Sequence, residues 1–325
     1  MRHKDTYFIK ITDEDDNVYG LGEAGLFRGL SCDDRPDYEE KLNEVCREID
    51  SYAQSPHQLA DYPSIRFAIE TAIRDLSNGG NRLIIPSSWT EGKSEITING
   101  LVWMGDAETM RQRIASKLAE GFRCIKVKIG GINFNEEVGL LELIRNEAPD
   151  VEIRLDANGA FSPTEALEKL ERLSNYRIHS IEQPIRAGQW DEMHRLCMES
   201  PIPIALDEEL IGLNTTKSKI EMLSEIKPQF IILKPTLCGG IEGSEEWIRL
   251  AREIGANWWV TSALESNIGL NAIAQWVAGL ESDMPQGLGT GQLYHNNIPS
   301  PLTLNGDKLA YDFTSGWKLP ELEWH

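Results

Sequence analysis

From residue 126 onward, charged side chains keep turning up at the ends of apolar runs. CIKVKIGG carries Lys126 and ends on Lys128. VEIRLDANG ends on Asp156, IHSIEQP on Glu182 and PIALDEE on Asp207. FIILKPTL ends on Lys234, and NWWVTSALES ends around Ser262. Each run has the pattern of a buried or half-buried strand. Successive spacings are 28, 26, 25, 27 and 28 residues. Taken singly, each residue has an ordinary explanation. Asp156 before Asn-Gly is a turn, Asp207-Glu208 caps a helix, and Lys128 and Lys234 carry charge from the core to water. Five of them in phase, in the order Lys, acid, acid, acid, Lys, call for a common cause.

Three carboxylates converging on adjacent strands repel one another, so one stays protonated unless a cation joins them. The donors are hard oxygens, with no His or Cys beside them. That selects Mg²⁺, or Mn²⁺, over zinc, with Asp156, Glu182 and Asp207 as ligands. A lysine base needs a pKa near 7–8 rather than about 10.4. Two ammonium groups ~7 Å apart, at an effective dielectric of ~20, repel by roughly 2.4 kcal/mol. That lowers a lysine pKa by about 1.7, and a divalent ion adds to it. Such a set suits abstraction of a proton α to a carboxylate, with the charge of the enediolate held by the metal.

The elements that would position these groups follow from the pattern around them. From about Ser94, strand-like and helix-like segments alternate without a break, giving eight strands and seven helices. The last strand, PQGLGTG, is weak. Such alternation over roughly 200 residues predicts a (β/α)7β barrel, a modified TIM barrel of the α/β class. In that architecture the C-terminal strand ends form the active site, and one βα unit separates each charged residue from the next, at one level around the mouth. Before it, TYFIKITDEDDNVYGLGEA reads as a hairpin turning at Asp13–Asn17. YEEKLNEVCREIDSYAQ and SIRFAIETAIRDLSNG read as helices. The expected organisation is an α+β capping domain over 1–93, the barrel over 94–295, and a tail over 296–325 that packs on the capping domain.

Composition bounds the partners. The 325 residues carry a net charge of −20. This argues against a nucleic-acid partner, which needs a basic face, but leaves room for a small anionic substrate at a locally positive site. No apolar run is long enough for a membrane span, and no signal peptide is visible, so a cytoplasmic protein is expected. The five cysteines contain no C-x-x-C, which points to neither a zinc site nor a disulfide framework. No H-E-x-x-H or G-x-S-x-G is present.

At these residues the chain resembles the enolase superfamily, in its muconate-lactonizing subgroup. The K-x-K of that family stands here as Lys126-Val-Lys128, its three metal ligands as Asp156, Glu182 and Asp207, and its opposite lysine as Lys234 in LKPTLCGG. Residues 67–73, FAIETAI, match its capping-domain helix. The resemblance implies a Lys base working with Mg²⁺. SALESNIGLNAIAQW, GLGTGQLYHNNIPSPL and the short N-terminal block are similar to the o-succinylbenzoate synthases of the menaquinone pathway. That family dehydrates a cyclohexadiene carboxylate bearing a succinyl group. By this resemblance Lys128 removes the α-proton and returns it to the leaving hydroxide on the same face. Lys234 stabilises the enediolate from the other face, and Lys126 supports the carboxylate or tunes Lys128. Ser262 is a candidate for the succinyl end, and Asn158, on the same face as Asp156, for a supporting contact. The Gly-rich loop 25–33 is a candidate cover.

Other readings remain. An N-acylamino acid racemase or dipeptide epimerase would use the same lysines and metal. The dipeptide form has an Asp-x-Asp late in the barrel, where this chain reads Ser-Ala-Leu-Glu-Ser. A sugar-acid dehydratase would have a His-based dyad where Lys234 stands. A catalytically silent Mg²⁺-dependent binding protein would have lost a ligand or a lysine, and none is missing.

Overall fold

The structure is a computed structural model, which describes residues 3–13, 18–321 and 324. The chain opens with β1 (Tyr7–Thr12) and β2 (Tyr19–Ala24), paired antiparallel from Tyr7↔Ala24 to Thr12↔Tyr19. Residues 14–17 of the expected turn lie outside the described residues. The helix expected over 38–54 is two, α1 (Tyr38–Arg47) and α2 (Ile49–Gln54). Glu48 leaves helical geometry at φ −116°, ψ 34° and breaks the ladder between them. α3 (Pro63–Ser77) then packs on β2. A Cβ on Gly22 would collide with the Ala68 carbonyl of α3, so only glycine allows this approach. These elements share a core of their own, including Ile9, Leu26, Val45, Leu59, Ile65 and Ile69.

β3 (Ile96–Thr97) precedes a regular series: β4 (Gly100–Val102), α4 (Ala107–Ala119), β5 (Cys124–Lys128), α5 (Phe134–Glu147), β6 (Glu152–Asp156) and α6 (Pro163–Ser174). It continues through β7 (Ile178–Glu182), α7 (Trp190–Glu199), β8 (Ile204–Leu206), α8 (Thr216–Ile226), β9 (Phe230–Leu233), α9 (Gly240–Glu253), β10 (Asn257–Val260) and α10 (Asn267–Ala278). Helix starts are set locally. The Asp106 side chain accepts from the Thr109 amide at 2.7 Å, and α6 begins on Pro163. β4 to β10 form one parallel sheet in chain order. The weak last strand is reduced to Gln286 and Gly287, which bridge Ile98 on one side and Thr261 on the other and so close the barrel. A side chain at Gly287 would strike Thr261, which accounts for the poor strand signal there.

Alternation divides each strand between two environments. Ile125, Val127, Ile153, Leu155, Ile181, Ile204, Leu206, Ile231 and Leu233 face the helices in the main core. The opposite face looks into the barrel. Its lower part is filled by Ala205, Ile232 and Trp259, with Phe230 and Met284 against them. The upper part is where the charged residues stand. The tail divides. β11 (Leu302–Asn305) and β12 (Lys308–Tyr311) form a hairpin that adds to β3, while Trp317 and Leu319 pack near Phe8, Tyr19 and Leu21 of the first sheet. Among the described residues no helix is long and apolar enough to cross a membrane.

Candidate active site

Strand register brings the charged residues to the barrel mouth. Lys128 pairs with Asp156, and Asp156 with Glu182. Glu182 pairs with Ala205, which places Asp207 one inward-facing step further along its strand, and the β8–β9 register places Lys234 a further step along. The spacing predicts these strand ends at one level around the mouth. Tilted barrel strands are staggered, and this stagger keeps successive strand ends level around the axis. β5 and β9 are four positions apart in an eight-membered ring, so Lys128 and Lys234 enter from opposed walls.

A cavity of about 360 Å³ opens at this mouth, lined by Lys126, Lys128, Asp156, Asn158, Lys234 and Ser262 among others. Glu182 and Asp207 lie buried beside it. The Lys126 ammonium lies 2.8 Å from Asp156 Oδ2 and 2.5 Å from Glu182 Oε2. Lys128 Nζ donates to Asp156 Oδ2 at 2.9 Å and to Asn158 Oδ1 at 2.6 Å. Lys234 donates to Asp207 Oδ2. Asn158 also donates from Nδ2 to Glu208 at 2.8 Å and from its amide to Asp156 Oδ1 at 3.1 Å. Asn158 adopts φ 42°, which an Asn tolerates better than most residues. Ser262 Oγ is 2.5 Å from Thr290 Oγ1. Phe27 to Leu30, from the Gly-rich loop, line the rim. That loop is pinned by Asp34, which accepts from the Gly29 amide at 2.7 Å and from Arg28 at 2.8 Å.

The charges pull on one another strongly. Burial opposes ionisation of Asp156, yet Lys126 and Lys128 outweigh it and hold its pKa below the usual carboxylate range. Burial raises Glu182 well above that range, and the neighbouring Asp156 and Asp207 charges push the same way. Burial disfavours the Lys126 charge, but Asp156 and Glu182 raise its pKa above the ordinary value. Lys234 behaves alike, with Asp207 as its strongest partner. The ammonium repulsion expected to lower these lysines does act, from Lys234 on Lys126, but it is smaller than the pull of the carboxylates.

Glu182 Oε1 accepts no hydrogen bond although it is fully buried, and Oε2 meets Lys126 without hydrogen-bonding geometry. An unsatisfied buried carboxylate between two others is what a hard divalent cation would complete. Among the described residues no three acidic, His or Cys groups are spaced to hold a metal ion as they stand; Lys126 and Lys234 lie against the acids. The oxygens are those a divalent ion needs, and lysine heads on flexible stems can yield to one.

The sequence reading missed three contributors. Trp103, just beyond β4, lies 5.3 Å from the Lys128 ammonium, ring face toward it. Glu208 lines the cavity and holds Asn158. In the sequence its neighbour Asp207 stands out as a strand-end acid, whereas Glu208 reads only as part of a cap. Buried Gln183 accepts from the amides of Asp207 and Glu209 and so fixes the chain after β8. Only Glu208 left a signal, a second acid at a strand end.

The model for the "enolase C-terminal domain-like" family matches residues 109–319. An o-succinylbenzoate synthase of Desulfotalea psychrophila is 45% identical, over 95% of this chain and 93% of the relative. The crystal structure of MenC from the same organism superposes with a TM-score of 0.84 at 44% identity, covering 94% of each chain. The muconate lactonizing enzyme of Pseudomonas putida shares the fold at a TM-score of 0.79 and 20% identity, over 94% of this chain and 89% of that one.

Proposed function

Because the chain belongs to the enolase C-terminal domain-like family, we propose that it works as an o-succinylbenzoate synthase, a dehydratase serving menaquinone biosynthesis. The observation that carries this choice is its likeness to the Desulfotalea enzyme along nearly the whole chain. The fold alone, shared with the lactonizing enzyme, does not select a substrate.

Asp156, Glu182 and Asp207 would hold Mg²⁺, with Mn²⁺ as a substitute. Bound there, the ion supplies positive charge against a substrate carboxylate and lowers the cost of the negative charge that develops on it. With Glu182 held protonated by burial and by its acidic neighbours, the remaining carboxylates balance the three ammonium groups, so the site has no excess positive charge with which to draw an anion. A divalent ion held there would supply that excess. It also frees Lys126 and Lys234 from part of the carboxylate field that raises their pKa values.

Lys128 acts as base. Its nitrogen takes the proton α to the carboxylate, and the same nitrogen then gives a proton to the departing hydroxide on that face, releasing water. Asn158 and Trp103 hold the Lys128 head in place. Lys234, from the opposite wall, keeps its proton and offers charge to the enediolate. Lys126 bridges two of the acids and offers its charge to the substrate carboxylate. Ser262 and the 25–33 loop receive the succinyl arm. On this reading the protein works in the cytoplasm, where its five free thiols stay reduced.

The test is direct. Purified protein with Mg²⁺ is given the succinyl-hydroxycyclohexadiene carboxylate, and separately N-succinylamino acids in deuterated water. Dehydration of the first is expected. Exchange of the α-hydrogen without dehydration would move the assignment to an N-acylamino acid racemase.

A further inference from the structure

The corner between β10 and α10 carries Ser262 into the cavity, and two residues later it does something unusual. Leu264 has φ 62°, in the left-handed region that a branched side chain rarely adopts. Such a conformation persists only where surrounding contacts impose it, and it concentrates at functional sites. Here the contacts come from distant parts of the chain. Lys4 Nζ, from the arm before β1, donates to the carbonyls of Ala263 at 3.1 Å and Leu264 at 2.9 Å. Tyr294 donates its hydroxyl to the same Leu264 carbonyl at 2.7 Å. The Leu264 amide donates to Ser262 Oγ at 3.3 Å. Beneath lies Glu265, fully buried, with Oε1 taken by Thr236 and Oε2 unpartnered. A Cβ on Gly25 would come within 3.3 Å of both Lys4 Nζ and the Glu265 side chain, so the glycine leaves room for the lysine to reach the corner.

What the corner separates gives it a role. Leu264 lines the active-site cavity, and it also lines an outer groove of about 390 Å³. Leu101 and Trp103 are shared in the same way, so these three residues form the partition between the two spaces. The groove beyond has an apolar face at Leu293 and basic side chains at Arg113 and Lys117. Lys117 is paired with Glu120 at 2.6 Å and Arg113 donates through Nη1 to the Trp103 and Met104 carbonyls, so what the groove offers a longer acyl arm is its apolar face and the rest of the Arg113 guanidinium, and the partition keeps such an arm out.

We propose that Lys4 and Tyr294 clamp Leu264 in its left-handed conformation, making it the wall that limits the length of the substrate's distal acyl arm. This rests on the dehydratase reading, and Lys4 and Tyr294 are positioning residues, since they act through Leu264.

The experiment compares wild type with Lys4→Met, Lys4→Arg, Tyr294→Phe and Leu264→Ala, each checked for an unchanged melting profile. Kinetics on the cyclohexadiene substrate are paired with calorimetric binding of o-succinylbenzoate and its glutaryl homologue, in the presence of Mg²⁺. Wild type should bind the longer homologue at least about tenfold more weakly. Lys4→Met and Leu264→Ala should narrow that gap to within about threefold. KM should rise about tenfold in Lys4→Met with kcat changed less than about threefold, and Lys4→Arg should restore it. Tyr294→Phe, the mildest change, should move both readouts the same way by a smaller factor. An unchanged gap in Lys4→Met and Leu264→Ala, or an equal fall of kcat and kcat/KM in Lys4→Met, overturns the clamp. Wild-type protein that does not dehydrate the substrate overturns the functional reading instead, so the two failures are distinguishable.

Discussion

At the scale of single residues the site turns on two opposed amines that differ in their neighbours. Lys128 is held by Asp156 and Asn158 and faced by the Trp103 ring, whereas Lys234 is held by Asp207. On the proposed roles, one amine exchanges a proton and the other keeps it, so their deletions should cost differently. Lys128→Ala should lower turnover by about 10³-fold and abolish exchange of the α-hydrogen, with an unchanged circular dichroism spectrum. Normal residual turnover would remove Lys128 as the base. If its charge is used in the transition state as proposed, Lys234→Ala should lower kcat by about 10²-fold or more while KM changes little. An effect confined to KM would assign it to ground-state binding.

At the scale of elements, the contacts that hold barrel and cap together make their own predictions. Glu70 of α3 accepts from the Ile241 amide at 2.6 Å, at the start of α9, and pairs with Arg66 at 2.9 Å. Burial pushes its pKa up to about 7 from an ordinary value near 4.5, despite Arg66. The unfolded chain therefore releases this proton first. The stability due to Glu70 is complete below about pH 4.5 and is lost as the pH rises through about 7. Urea unfolding should show this decline in wild type, of order 3 kcal/mol, and a flatter profile in Glu70→Gln. Parallel profiles would contradict it. The β2–α3 contact is the other sensitive point. Gly22→Ala forces a methyl group against the α3 backbone and should cost about 1–3 kcal/mol, read as a lower urea midpoint.

At the scale of the whole molecule, a cation at the barrel mouth should couple to folding. An ion that binds only the folded chain stabilises it by RT ln(1 + [L]/Kd), about 2.7 kcal/mol at a hundredfold excess over Kd. Mg²⁺ should therefore raise the melting temperature of wild type, and chelation should reverse the rise. Glu182→Gln should lose most of the effect. An equal rise in that variant would place the ion elsewhere. The same cation bears on how a chain of charge −20 could take an anionic substrate: the three lysines at the mouth are already paired with Asp156, Glu182 and Asp207, and a bound divalent ion would add the positive excess.

How much of this could be read in advance depends on the range of the interaction involved. The βα repeat and the phase of Lys128, Asp156, Glu182, Asp207 and Lys234 are local periodicities, and a strand that must bury one face leaves the other facing the barrel interior. Those features follow from side-chain alternation and were legible residue by residue. The collapse of the last strand to Gln286 and Gly287 and the addition of the tail hairpin to β3 were not, because each is set by a partner far along the chain. The raised lysines follow from distances to acids on neighbouring strands. The hold of Lys4 on Leu264 spans 260 positions, and only the folded chain brings such groups within hydrogen-bonding reach.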